Sequence, residues 1–245
     1  GEIDQAIEIM QAAIGFGQQA GFLFAILQTQ TDLGYIYATL GDFDRALKYG
    51  HQALAAVEEI FPQGRAYPFG LLGYISALTG QLNESEDYLR QARIDYSITE
   101  LSMIAYFTPM ADIEVAFARR DDDRANHIAD QTLKLMDTYG MRPFRQDALY
   151  HKALALVHLD RIAEALPYLE QATQVALSLN SRRMLWEIYT LQADIEAARG
   201  DPIAAFKLRA QARELINFIA AHIGQSALRE SFLNLPKVRR ALTDT

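Results

Sequence analysis

Cysteine is absent from the 245 residues, and tryptophan occurs once. Without cysteine there is no disulfide framework, no thiolate nucleophile and no thiolate metal site. Glycine (14) and proline (7) are too sparse for a collagen-like or low-complexity chain. Long apolar runs are missing as well. Phe22 to Leu27 and Leu215 to Ala221 stop far short of the ~20 residues a membrane span needs. Positive charge is the minority, with 23 Lys and Arg against 31 Asp and Glu for a net charge of −8. That balance argues against a nucleic-acid binder, whose affinity comes from clustered cations displacing counterions. No basic, apolar or Ala-x-Ala leader opens the sequence at Gly1-Glu2, so the expected setting is cytoplasmic, with no membrane contact. What is present is half apolar and 22% charged, a composition that folds around a core.

The apolar positions keep helical spacing throughout, as in Leu156, Leu159, Ile162, Leu166 and Leu169, and no alternating strand pattern of any length occurs. A pair of small residues seven apart marks one helix face and recurs: Ala6 and Ala13, Ala46 and Ala53, Ser85 and Ala92, Ala125 and Thr132, Ala165 and Ala172, Ala205 and Ala212. The first members are spaced by 40, 39, 40, 40 and 40 residues. A break precedes each pair: Gly1-Glu2, Gly41-Asp42, Gly80-Gln81, Arg120-Asp121, Asp160-Arg161 and Gly200-Asp201. Glycine ends one helix in the left-handed region, and aspartate caps the next. The pattern predicts two helices per period. First helices are expected at 23–40, 66–79, 101–119, 144–159 and 182–199, and second helices at 3–18, 43–60, 82–96, 122–139, 162–179 and 202–222. Pro109 and Pro167 lie inside this scheme, and each predicts a kink or a late start; Pro62, Pro68 and Pro143 fall in or near turns.

Leu33-Gly34, Tyr37, Gly41, Ala46 and Ala53 together resemble a tetratricopeptide repeat, with further copies at Leu72-Gly73, Gly80, Ser85 and Ala92 and degenerate ones at 153–172 and 193–212. The period here exceeds that repeat's usual ~34 residues. The resemblance implies an all-α, right-handed superhelical solenoid: a half repeat at 1–20, five helix pairs to residue 222, and a capping helix or tail at 223–245. Units of this length are similar to the sensor arms of multidomain bacterial signalling ATPases and regulators. The segment 212–239 is similar to the C-terminal ends of such proteins, which suggests a C-terminal scaffold or sensor piece of a larger regulator.

Catalytic motifs are missing: no phosphate loop, no His-Glu-x-x-His and no Gly-x-Ser-x-Gly. The expectation is therefore a protein that is not an enzyme and carries neither cofactor nor metal. Gly15-Phe-Gly-Gln-Gln-Ala20 mimics a dinucleotide fingerprint but closes a helix instead of opening one. His151 and His158 share a helix face about 10 Å apart, too far for one metal. Asp121 to Asp123 reads as a capped turn, and the sequon Asn83-Glu-Ser85 as a helix start. Arg182, Arg183, Lys237, Arg239 and Arg240 read as solvated charges at helix ends.

In the resemblance, partners are held by the first helix of each pair, on the concave wall. The positions carried over are Gln28, Thr31, Tyr35, Tyr67, Tyr74, Phe107, Met110, Glu114, Asp147, Tyr150, Leu154, Glu187 and Asp194. They are aromatic and acidic, the opposite of a clamp for a peptide carboxylate. The aromatics either anchor a ligand or pack between repeats. The function expected is capture of a protein or peptide segment, other domains of the parent chain included; the alternative is a small-molecule sensor controlling an attached ATPase or transcription regulator. Ile3, Ala6, Ile7, Met10, Ala13 and Ile14 form a stripe on the first helix whose cover would be a preceding helix. Left open, that stripe predicts self-association.

Overall fold

The repeated breaks build one piece of backbone over and over. The computed structural model describes residues 3–60, 62–94, 106–142 and 144–243, and all regular structure among them is helical. The helices are α1 (Ile3–Ala20), α2 (Leu23–Thr39), α3 (Phe43–Ile60), α4 (Ala66–Leu78), α5 (Leu82–Ile94), α6 (Phe107–Ala118) and α7 (Asp122–Tyr139). They continue as α8 (Arg145–His158), α9 (Ile162–Ser178), α10 (Arg182–Ala198), α11 (Pro202–Ala221), α12 (Ser226–Asn234) and α13 (Pro236–Thr243), with a 3-10 turn at Pro62–Arg65 before α4.

Residues 41, 80, 120, 160 and 200 all have positive φ, between 58° and 83°. At each, the next amide donates back across the turn: Asp42 to Tyr37, Gln81 to Ser76, Asp121 to Ala116, Arg161 to Leu156 and Asp201 to Glu196, at 2.8–3.0 Å. This is the glycine-type helix stop with its six-to-one hydrogen bond, and Arg120 and Asp160 adopt it without being glycine. The following helix starts at once. Asp42 accepts from the Arg45 amide at 3.0 Å and Asp201 from the Ala204 amide at 2.9 Å.

Pro109 sits in the first turn of α6, where its missing amide has no intrahelical partner to lose. The late start expected there is seen, although the segment 101–105 and Pro143 lie outside the described residues. α9 starts at Ile162 and runs through Pro167 to Ser178, so no late start occurs at that proline.

The chain forms two compact units, Glu2–Asp121 and Asp122–Thr245. In the first, α2 pairs with α3 and α4 with α5, α1 packs on α2, and α6 packs on α4. In the second, α8 pairs with α9 and α10 with α11, α7 packs on α8, and α12 and α13 close against α11. The small-residue pairs lie in these seams: Ala46, Ala53, Ser85, Ala92, Ala125, Ala165, Ala172, Ala205 and Ala212 are all fully buried. Ser85 donates its hydroxyl to the Gly73 carbonyl at 2.7 Å, which ties the N-terminal turn of α5 to α4. Gly34 shows how tight the seams are, because a Cβ there would lie 2.6 Å from Leu71 Cδ2 and 3.2 Å from the Ala46 carbonyl.

α1 departs from expectation. Its apolar stripe is not left open, since α1 lies against α2 with Ile7 buried, and Ile3, Ala6, Met10 and Ile14 are half covered. Only Ala13 of that stripe is exposed. The apolar side chains facing water are instead Ile9 and Phe16 on α1, at 60% and 70% exposure, together with Phe22, Leu23 and Phe24 at the start of α2.

Candidate functional site

In the first unit, aromatic residues expected from separate repeats meet. The Tyr35 ring lies 6.1 Å from Tyr74 and 5.3 Å from Phe107, and Tyr67 lies 5.3 Å from Phe107. Tyr106 joins them, 6.3 Å from Tyr35 and 5.4 Å from Phe107. The tilted and edge-on geometries avoid the face-to-face sandwich that ring quadrupoles disfavour. α2, α4 and α6 each contribute, so one aromatic face crosses three helices. Tyr67, Tyr106, Phe107 and Met110 are buried beneath it, while Tyr35 and Tyr74 stay half exposed. Tyr106 lies inside the helix expected at 101–119 but was not among the positions carried over; in the structure it is the residue just before α6, and its adjacency to Phe107 is a visible signal.

A carboxylate underlies this face. The Tyr67 hydroxyl donates to Asp32 Oδ1 at 2.6 Å, joining α4 to α2. Burial pushes the Asp32 carboxyl above the ordinary range, against the pull of that hydrogen bond, and burial together with Asp32 pushes the Tyr67 phenol up. Of the other expected positions in this unit, Thr31 is buried and donates to the Leu27 carbonyl, whereas Gln28 and Glu114 are half exposed. Gln30 Oε1 and Thr108 Oγ1 are buried with no hydrogen-bond partner among the described residues.

The second unit is built differently. Its expected acids are engaged by cations of the same unit. Asp147 on α8 is buried and pairs with Arg183 on α10. Glu187 is buried and accepts from Lys237 Nζ at 2.7 Å; Asp194 is bound by Arg240 at 2.7 Å, with Arg209 at 3.7 Å. Lys237 also lies 5.5 Å from the ring centre of Trp186, and Arg182 lies 4.3 Å over Phe218. Lys237 and Arg240 are exposed, as the sequence suggests, and Arg182 and Arg183 are half exposed, but each of the four also meets an acid or an aromatic face that a neighbouring helix presents. Tyr150 and Leu154 are half exposed, with Tyr150 edge-on to His151 at 5.5 Å. His151 Nδ1 lies 2.7 Å from the Asp147 carbonyl, and His158 Nδ1 lies 2.7 Å from Asp122 Oδ1 in the acidic turn. Among the described residues no cluster of three or more His, Cys, Asp or Glu is placed to hold a metal ion, and no helix is long and apolar enough to cross a membrane.

The first unit thus presents tilted and edge-on aromatic rings drawn from three helices. Two segments of the chain match the tetratricopeptide repeat family, residues 26–64, which contain most of α2 and all of α3, and residues 146–178, which contain nearly all of α8 and all of α9. In a comparison with curated proteins, nothing matches.

Proposed function

We propose that this chain, a tetratricopeptide-repeat protein, holds a segment of a partner protein against the aromatic face of α2, α4 and α6, as the scaffold or sensor part of a larger regulatory protein in the cytoplasm. Tetratricopeptide repeats are protein-interaction modules in general, and the observation that carries the finer reading is the pairing of half-exposed Tyr35 and Tyr74 over the buried base of Tyr67, Tyr106 and Phe107. A preorganised aromatic surface binds well because its rings bury much area and have few rotamers to lose. The reading takes 1–222 as one repeat array and 223–245 as its cap. It assigns partner contact also to half-exposed Gln28, Glu114, Tyr150 and Leu154.

The test is selection from a displayed peptide library, followed by titration of the selected peptides onto Tyr35→Ala, Tyr74→Ala and the double variant. Affinity should fall about tenfold or more per anchor lost, with helicity by circular dichroism unchanged. Equal affinity for the double variant would sink the reading. A second reading, a small-molecule sensor, draws support from the buried Gln30 Oε1, Thr108 Oγ1, Gln146 Oε1 and Trp186 Nε1, which have no hydrogen-bond partner among the described residues. A melting shift with a metabolite panel, abolished by Thr108→Val or Gln146→Leu, would favour it. Ile9 and Phe16 are proposed as a self-association surface.

A further inference from the structure

The helix α13 carries an amphipathic pattern within eight residues. Leu235, Val238 and Ala241 are buried in a row, and Lys237 and Arg240 flank that row on neighbouring turns. Both cations reach α10. Lys237 Nζ sits between two groups there, the buried Glu187 carboxylate at 2.7 Å and the Trp186 ring at 5.5 Å. Arg240 binds Asp194, seven residues further along the same helix. α10 thus presents two carboxylates on one face with an indole beside the first, and α13, whose helix packs on α11 and α12, reaches across to them with its two cations. The connection back to α12 is the single residue Leu235, with extended ψ of 130°, followed by Pro236.

We propose that the seat of α13, made by α11 and α12 with Trp186, Glu187 and Asp194 of α10 at its edge, is a docking site for short cationic amphipathic helices, that α13 is its resident occupant, and that a partner protein binds there by displacing α13. The occupant's chemistry is read from α13 itself: an apolar residue, Lys two positions on, then an apolar residue, and Arg followed by a small residue. Charge complementarity carries the choice of a basic helix, since the receiving face holds two carboxylates and a π-surface that stabilises a cation. Tethering explains why α13 holds the site, because a short linker raises its effective concentration to the order of millimolar. A free partner must exceed that or carry additional contacts. The two cations are themselves exposed, so their pairs contribute little apiece and the occupant remains exchangeable.

The single tryptophan of the chain lies in the site, which gives a direct optical readout. The experiment uses the full chain carrying Val238→Asp, which sets a carboxylate into a fully buried position and detaches α13. The probe is a synthetic peptide with the sequence of residues 234–243. In the variant, Trp186 emission should change and trypsin should cleave faster after Lys237 and Arg240. Added peptide should then restore the original emission saturably. Glu187→Gln with Asp194→Asn on that background should weaken the peptide by about tenfold or more, and a peptide with its Lys and Arg replaced by Glu should not bind. If Val238→Asp unfolds the chain by circular dichroism, Lys237→Glu with Arg240→Glu replaces it, because both are surface positions. Failure of the peptide to act on a chain whose α13 is released overturns the proposal, as does failure of both variants to release it, which would make α13 a fixed cap. Concentration-dependent dimers in which copies trade α13, with no rebinding of free peptide, would assign the site to a second copy and overturn it equally.

Discussion

Replacing Tyr67 with Phe removes one oxygen from the aromatic face and leaves its ring contact with Phe107, at 5.3 Å, in place. What is lost is the 2.6 Å hydrogen bond to Asp32. A bond to a charged acceptor contributes about 1.5–3 kcal/mol, and a half-buried carboxylate left without its donor sits at the upper part of that range. For a unit of this size, about 2 kcal/mol corresponds to roughly 5–10 °C in the melting temperature. The pH dependence distinguishes this cause from a packing defect. Burial raises the Asp32 pKa above its ordinary value of 3.8, so the folded state holds the proton more tightly than the unfolded state does. Stability therefore rises as pH falls from the folded pKa toward 3.8, and it flattens below that value, where both states are protonated. Loss of the Tyr67 donor removes the hydrogen bond that favours the carboxylate, so the raised pKa climbs further and the window widens upward. The penalty of Tyr67→Phe should thus be largest near neutral pH and shrink on acidification. Asp32→Asn, which keeps an acceptor and removes the charge, should erase that difference. The assay is thermal or urea unfolding of wild type, both single variants and the double variant between about pH 3.5 and 7, read as a double-mutant cycle. A Tyr67→Phe penalty that is constant with pH, or below about 0.5 kcal/mol at neutrality, would refute the reasoning.

Gly34→Ala should destabilise by about 1–3 kcal/mol in urea unfolding, since its Cβ would lie 2.6 Å from Leu71 Cδ2 and 3.2 Å from the Ala46 carbonyl; a gain, as at an open helix site, would mean that the seam between α2 and α4 relaxes. Asp160→Gly should raise the melting temperature by a few degrees at most, because φ of 58° strains aspartate by about 1 kcal/mol and the gain is partly offset by the freer unfolded chain. Ile9→Glu with Phe16→Glu, both exposed, should leave the melt unchanged and abolish any concentration-dependent light scattering; scattering that persists would place self-association elsewhere.

The repeat was legible because it is written in residues whose role is local. A positive φ at 41, 80 and 200 calls for glycine, and a small residue every seventh position is what lets two helices close on each other. Arg120 and Asp160 show the limit of that code: the backbone keeps its left-handed turn where the glycine is gone, and only the constant spacing reveals it. The aromatic face was half legible. Tyr35, Tyr74 and Phe107 were named as positions, but which of them stays half exposed depends on the neighbouring repeat and not on its own helix. The stripe on α1 was misjudged because the repeat register assigns that face to a preceding helix, whereas Ile7 finds its cover in α2.

The charged positions were the least legible, for a physical reason. An exposed cation and a paired one look alike in sequence when the partner lies far along the chain, as Lys237 and Glu187 or Arg240 and Asp194 do. The two units also satisfy their inner acids by different means. Asp32 is held by a neutral phenol, which stabilises the carboxylate through one directed hydrogen bond. Asp147, Glu187 and Asp194 are held by guanidinium or ammonium groups, which neutralise charge and respond to salt. The first arrangement leaves Tyr35 and Tyr74 half exposed over the buried rings. The second joins α13 to the acids of α10 through two exposed cations, pairs that weaken as salt rises.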